Sequence, residues 1–273
     1  MPSTVRTPIL VPCARGVAGS GTLAGPVAFA DYLRQRAGSY RAVASPFFAE
    51  RRELTVVGAD ADALSDALSA QREQAEAAGT APIYFGGDHS CTYELISHAC
   101  ERHGPLVLVV FDAHSDVQGD VDQLYHWNVL AKIASRWGPQ VEIIHLGFRD
   151  IDGAALAACA GLVLSALDVC WLGVAACARR VAEAIAGRPV YLSIDLDVLD
   201  PGAFAGVAAP ISAGLSPLAL FALIDALRVE RVVCADIVEY DHHRSDGREM
   251  LLLADLFHLV GGVCAHEDPV LDR

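Results

Sequence analysis

The chain has 273 residues, 53% of them hydrophobic and 20% charged, which excludes a disordered chain and is enough for one α/β domain with a large core. Its 20 basic and 34 acidic residues give a net charge of −14, so there is no basic stripe for nucleic acid, whereas a cationic substrate would be drawn in by the field. No apolar run reaches the roughly 18–20 residues needed to span a bilayer, and the first 12 residues lack a charged segment leading into a long apolar stretch. A soluble, cytoplasmic protein with no membrane partner is expected.

In chain order, strands are predicted over 8–12, 81–85, 106–111, 141–147, 190–195 and 231–239. Helices are predicted over 26–37, 60–78, 92–102, 127–137, 174–186, 217–227 and 248–260. Continuous apolar strands alternating with amphipathic helices indicate a mostly parallel sheet covered on both faces, a three-layer αβα sandwich. No repeat or linker divides the chain, so residues 1–273 are expected to form a single catalytic domain. Two stretches stand out as loops, 117–125 and the Gly-, Ala- and Pro-rich 200–215. Eight cysteines lie at 13, 91, 100, 159, 170, 177, 234 and 264 without a CxxC pair, which reads as buried free thiols in a reducing compartment. Cys91, although two residues past His89, is taken as packing.

Three strand-like runs end in acids and histidines: Phe85-Gly-Gly-Asp-His89, Phe111-Asp-Ala-His-Ser-Asp116 and Ser193-Ile-Asp-Leu-Asp197. Beyond the carboxyl ends of parallel strands such clusters converge, however far apart they are in sequence. Asp112, His114 and Asp116 alternate, which would put them on one face of an extended strand end; Asp195 and Asp197 repeat the spacing. With His89 they make a candidate site for two metals. Carboxylates with imidazole suit Mn²⁺, other divalent ions being alternatives. A zinc-only structural site is disfavoured because no cysteine joins the set. Singly, each cluster has an ordinary explanation. Asp-x-His is common, His89 could cap the next helix, and Asp195-x-Asp197 could open a loop before the turn at Asp200-Pro201-Gly202. Three clusters at the ends of buried-type strands make coincidence a poor account, and grouped carboxylates without a cation would repel one another.

Gly86-Gly-Asp-His-Ser90, Phe111-Asp-Ala-His-Ser-Asp116 and Ser193-Ile-Asp-Leu-Asp-Val-Leu-Asp-Pro201 resemble the signature motifs of the arginase/agmatinase (ureohydrolase) family. Gly25-Pro26, Gly147-Phe-Arg-Asp-Ile-Asp152 and Asp236-Ile-Val-Glu-Tyr240 resemble further family segments. The resemblance implies an arginase-like α/β fold and two bridged Mn²⁺ per chain. His89 and Asp116 would hold one ion, His114 and Asp197 the other, with Asp112 and Asp195 shared. Hydroxide made at the metals would attack a guanidinium carbon, releasing urea and a primary amine. Glu239 would anchor the guanidinium, His126 would shuttle protons, and Asp116 is counted with these two among the catalytic groups. Gln118 and Asp152 match substrate-contacting positions.

The chain departs from arginases in 117–128. This loop is shorter than theirs, lacks their Asn/Thr/Ser pattern and ends His126-Trp-Asn128 instead of His-Gly, and Ala155 stands where an acid is expected. L-arginine or a close analogue is the expected substrate. The alternatives are a larger or different guanidino compound (peptidyl arginine, agmatine, a biosynthetic intermediate) or a mononuclear zinc amidohydrolase of deacetylase type. That last class uses a tandem His pair, and the only tandem here is the late His242-His243. A homo-oligomer is possible within the family, and the short tail after Val263 points to a small one. Gly16-Val-Ala-Gly19-Ser-Gly21 lacks the GxGxxG spacing and reads as a loop.

Overall fold

The computed structural model describes residues 9–15, 21–36, 52–53 and 81–264. Eight strands form one sheet: β1 (Ile9–Val11), β2 (Arg52–Glu53), β3 (Ile83–Gly86), β4 (Leu106–Phe111), β5 (Val141–Phe148), β6 (Leu162–Ser165), β7 (Val190–Asp195) and β8 (Val232–Val238). Their spatial order is β2-β1-β3-β8-β7-β4-β5-β6, and every pairing is parallel. A parallel sheet needs cover on both faces. One face packs against α1 (Gly25–Arg36), α5 (Ala166–Leu172), α6 (Val174–Ile185), α7 (Pro217–Ala226) and α8 (Met250–Val263). The other packs against α2 (Cys91–His103), α3 (Val129–Trp137) and α4 (Gly153–Cys159). The αβα sandwich expected from the sequence is therefore present.

The run Leu106-Val-Leu-Val-Val-Phe111 explains the centre of the sheet. All six side chains are buried, alternately in the two cores. At about 1.5–3 kcal/mol per large apolar side chain, this burial outweighs any local preference.

Two helices and two strands escape the sequence reading: α4, α5, β6 and the two-residue β2, which pairs with β1 at the sheet edge. The segment 151–173 is an almost uniform apolar stretch, and β6 is a four-residue edge strand with only Leu164 buried. Periodicity cannot separate helix from strand at that length. A local signal was nevertheless present. Ser165 accepts from Asp168 N–H at 3.0 Å while Asp168 accepts from Ser165 N–H at 2.8 Å, a capping box readable as Ser-x-x-Asp. The helix expected over 60–78 and most of the glycine-rich 16–21 lie outside the described residues.

All eight cysteines are free. Cys91 is buried and packs under Gly86, although Cys170 is exposed rather than buried. Among the described residues no helix is long and apolar enough to cross a membrane.

Candidate metal centre

Four adjacent strands, β3, β8, β7 and β4, deliver their carboxyl ends to one place. After β3 the chain crosses the end of β1 so closely that a Cβ on Gly87 would stand 1.8 Å from the Cys13 carbonyl oxygen. Asp88 then accepts the Arg15 N–H at 2.5 Å and that of Ser90 at 3.1 Å, which sets His89, fully buried, at the mouth of α2. After β8, Glu239 donates its N–H to Gly87 O at 2.8 Å and accepts the His89 N–H at 2.7 Å through Oε1.

The clusters at 112–116 and 195–197 are not strand faces. β4 stops at Phe111, Asp116 takes a left-handed φ of 48°, and Leu196–Val198 is a 3-10 turn whose Asp197 N–H donates to Asp195 Oδ1 at 2.8 Å. Short polar side chains that bond their own backbone favour turns over a continued ladder. Glu239 is also left-handed, at φ 66°. Among the described residues, two of the four non-glycine residues in this conformation are thus acids of the site, where strain is retained only if the surroundings enforce it.

The ligand-type atoms fall into two overlapping groups, His89–Asp112–Asp116 and Asp112–His114–Asp197, each with its atoms within 4.8 Å of one another. Asp112 belongs to both. Its Oδ2 lies 3.1 Å from His89 Nδ1, and its Oδ1 lies 3.7 Å from His114 Nδ1. Asp116 Oδ2 is 3.0 Å and Asp195 Oδ2 is 3.4 Å from His89 Nδ1. Asp197 Oδ2 is 2.8 Å from His114 Nδ1 and its Oδ1 accepts the Ala113 N–H at 3.0 Å. His89 Nδ1 and Asp112 Oδ2 are buried, yet neither has a hydrogen-bond partner in proper geometry. Converging, unsatisfied donor atoms of this kind fit a pair of hard or borderline cations sharing one carboxylate.

The electrostatics agree. Burial, then the charge on Asp112, raises Asp116 to about 7. Burial, then neighbouring carboxylates, also raises Asp195, Asp197 and Glu239. So many acids cannot all ionise in a dry site without positive charge beside them. His114 is lifted to about 11, its burial being outweighed by Asp112 and Asp197.

His126 opens a 3-10 turn, His126–Asn128, and its Nδ1 stands 3.5 Å from Glu239 Oε1. Burial lowers its pKa, which favours the neutral ring. The loop before it is tied down from behind. Asn128 donates to Asp120 O at 2.7 Å and Gln123 O at 2.9 Å and accepts the Tyr125 N–H at 2.8 Å, while Lys132 donates to Val121 O and to Asp122 O. Tyr125 stacks on Trp127, centroids 4.5 Å apart, beside His126. Gln118 is exposed, and its N–H closes the loop onto Trp127 O at 3.0 Å. Asp152 sits half-buried ahead of α4. Among the described residues no hydrogen bond or ion pair joins either side chain to the acid cluster.

Sequence reasoning missed the role of Arg149. Its guanidinium donates only to backbone carbonyls: Asp197 at 2.6 Å, Ile211 at 2.8 Å, Gly147 at 3.1 Å, and Val198, Leu199 and Ser212 each at 3.2 Å. It binds the turn carrying Asp197 to the loop 200–215. An arginine two residues past a glycine at a strand end was the visible signal, but which carbonyls it meets is a tertiary matter.

The model of the family described as Arginase family matches residues 9–258. Among curated relatives, the mitochondrial guanidino acid hydrolase of Homo sapiens is 28% identical over 193 residues, covering 67% of this chain and 55% of its own length. The agmatinase of Proteus mirabilis is 31% identical over 185 residues, covering 66% and 58%. The chain thus spans little more than half the length of these curated relatives. Of solved structures, a hypothetical agmatinase from Burkholderia thailandensis superposes with a TM-score of 0.74 at 25% identity, covering 96% of this chain and 85% of that one. An arginase from Bacillus subtilis superposes with a TM-score of 0.78 at 18% identity over 94% and 98%, a likeness of fold. With its family model matched from β1 into α8 and its fold shared, the chain belongs to the arginase family.

Proposed function

We propose that the protein hydrolyses a guanidino group to urea and a primary amine at a two-metal centre, and that its substrate is a linear guanidino compound of the agmatine or ω-guanidino acid kind rather than L-arginine. The observation that carries the reaction is the sharing of Asp112 between two ligand groups directly beside the Glu239–His126 pair. Residues His89, Asp112, Asp116 and Asp195 would hold one divalent cation, and Asp112, His114 and Asp197 the other, with manganese the ion this donor set suits best. Two such ions, when bound, lower the pKa of water towards neutrality, which supplies the nucleophile.

The remaining steps belong to the protein's own side chains. Glu239 is held by the His89 N–H through Oε1, and its carboxylate can pair with a planar cationic guanidinium, giving orientation as well as charge. His126, whose neutral form burial favours, can take the proton lost as water adds to the guanidinium carbon. It then returns that proton to the leaving nitrogen as the C–N bond breaks, and the carbon departs as urea. Asp116 enters as a ligand of the first cation.

The choice of substrate is supported by Ala155, which stands where an acid for an amino-acid head is expected, and by the relatives above, which are named agmatinase and guanidino acid hydrolase. The deacetylase-type alternative loses its acid/base pair, because His242 and His243 are both exposed in a turn held by Asp241. A single domain over 1–273 in the cytoplasm fits the same reading. Urea release with Mn²⁺ across L-arginine, agmatine, guanidinobutyrate and arginyl peptides tests it. Agmatine or guanidinobutyrate should lead; urea from none of them would refute the activity, and a clear preference for L-arginine would refute the substrate.

A further inference from the structure

His89 sits in a chain of hydrogen bonds that runs away from the metal centre into the sheet. Its Nε2 lies 3.1 Å from Ser193 Oγ. Ser193 donates to Asp236 Oδ1 at 2.6 Å. The second oxygen of Asp236 accepts from Tyr191 Oη–H at 2.6 Å and from Thr92 Oγ1–H at 2.9 Å. Ser193 and Asp236 are register partners on β7 and β8, and all five residues are buried.

The chain has a direction, because a serine hydroxyl has one hydrogen. Asp236 takes hydroxyl hydrogens from Ser193, Tyr191 and Thr92; burial raises its pKa, but a proton placed on it would meet one of these three donors head-on, so it has no hydrogen to give back. With its hydrogen spent on Asp236, Ser193 Oγ can only accept from His89. Nε2 therefore carries a proton, so the ring nitrogen left to bind a cation is Nδ1, which faces Asp112, Asp116 and Asp195.

We propose that Asp236 is a positioning residue that sets the His89 tautomer through Ser193 and so makes Nδ1 a metal ligand. Asp236 touches neither substrate nor metal. The inference rests on the two-metal reading above only in taking His89 as a ligand. An imidazole oriented by a bonded partner behind it is a general requirement of metal sites, and losing such a partner typically lowers metal affinity about 10–100-fold.

Asp236→Asn should reverse the chain. With Tyr191 and Thr92 still donating to its oxygen, the Asn amide donates to Ser193, the Ser193 hydrogen turns to His89 Nε2, and the proton is forced onto Nδ1, where it blocks the metal. Ser193→Ala merely frees the ring, so it should cost less.

The test uses the full chain and manganese alone, read by titration calorimetry, with imidazole ¹⁵N NMR of the metal-free protein. Wild type should show His89 protonated on Nε2 and bind two equivalents of Mn²⁺. Asp236→Asn should lose one equivalent or weaken it beyond 100-fold, and Ser193→Ala should weaken it about tenfold. The double variant should bind at the Ser193→Ala level, because the reversed chain can no longer reach His89. Thr92→Val removes a donor to Asp236 without touching this chain and should bind metal as wild type does. A purely structural role would instead make the double variant worse than either single one. That result, wild-type affinity in Asp236→Asn, or a wild-type His89 without a proton on Nε2 would each overturn the assignment. If Asp236→Asn does not fold, the Ser193→Ala affinity and the wild-type NMR signal decide by the same criteria. Absence of urea release from wild type would refute the proposed activity and leave these binding results to decide the tautomer.

Discussion

Arg149 donates to the backbone carbonyl of Asp197 at 2.6 Å while the carboxylate of the same Asp197 lies 2.8 Å from His114 Nδ1. One aspartate is thus held from behind by a cation and presented in front beside His114 in a candidate ligand group. Lysine cannot reproduce this, because a planar fork that reaches six carbonyls becomes a single point donor. Arg149→Lys should lower the stability of the metal-free protein by about 2–3 kcal/mol, the worth of one or two charge-assisted hydrogen bonds. It should also weaken the metal at the His114–Asp197 group more than at the His89 group. Urea denaturation and metal titration read the two effects, and equal weakening at both groups would contradict this role.

Asp112 is common to the two ligand groups, whereas Asp116 lies with His89 and Asp197 with His114. Asp112→Asn should therefore abolish tight binding of both ions, and Asp116→Asn or Asp197→Asn should each leave one. Metal analysis after dialysis gives the stoichiometry; two ions retained in Asp112→Asn would show that this acid is not shared.

Glu239 and His126 lie 3.5 Å apart but should fail differently. Truncating one partner of a buried charge pair costs about 2–5 kcal/mol, so Glu239→Gln should lower kcat/KM roughly 30- to 4,000-fold on a cationic substrate, chiefly through KM. His126→Asn removes a proton carrier and should lower kcat about 10²- to 10⁴-fold with KM little changed. Steady-state kinetics on the metal-loaded variants separate the two, and a pure KM effect in His126→Asn would remove it from the proton transfers.

His145 on β5 is fully buried, neither ring nitrogen has a well-formed hydrogen bond, and burial lowers its pKa to about 4 from 6.5, outweighing the raising effects of Asp112 and the nearby His114 backbone. The folded state therefore binds this proton more weakly than the unfolded state. The resulting destabilisation is absent above the unfolded pKa, grows as pH falls from about 6.5 to about 4, and is complete below that, on the order of 3 kcal/mol. His145→Phe, of similar volume, should cost little at neutral pH and gain on wild type across that window. Denaturant unfolding of the metal-free proteins at several pH values gives the difference; a difference independent of pH would exclude the titration.

The layered parallel fold and the acid- and histidine-tipped strand ends are legible in the sequence, because both are written in local pattern. Long apolar runs such as 106–111 have no stable place except between two layers, and ligand-type residues at their ends must meet on one edge. Sequence did not separate β6 from its flanking helices, where Ala-rich stretches carry no period, and it pictured 112–116 as an extended face where the backbone turns. Packing across the sheet settles what local pattern leaves open: of the two acids expected to be shared, Asp112 lies in both ligand groups and Asp195 in neither, Arg149 holds Asp197 by its carbonyl, and His89 reaches Asp236 through Ser193. The last two rest on hydrogen bonds between residues 43 to 104 positions apart, and a hydrogen bond is specified by angstrom-scale placement that no local pattern encodes.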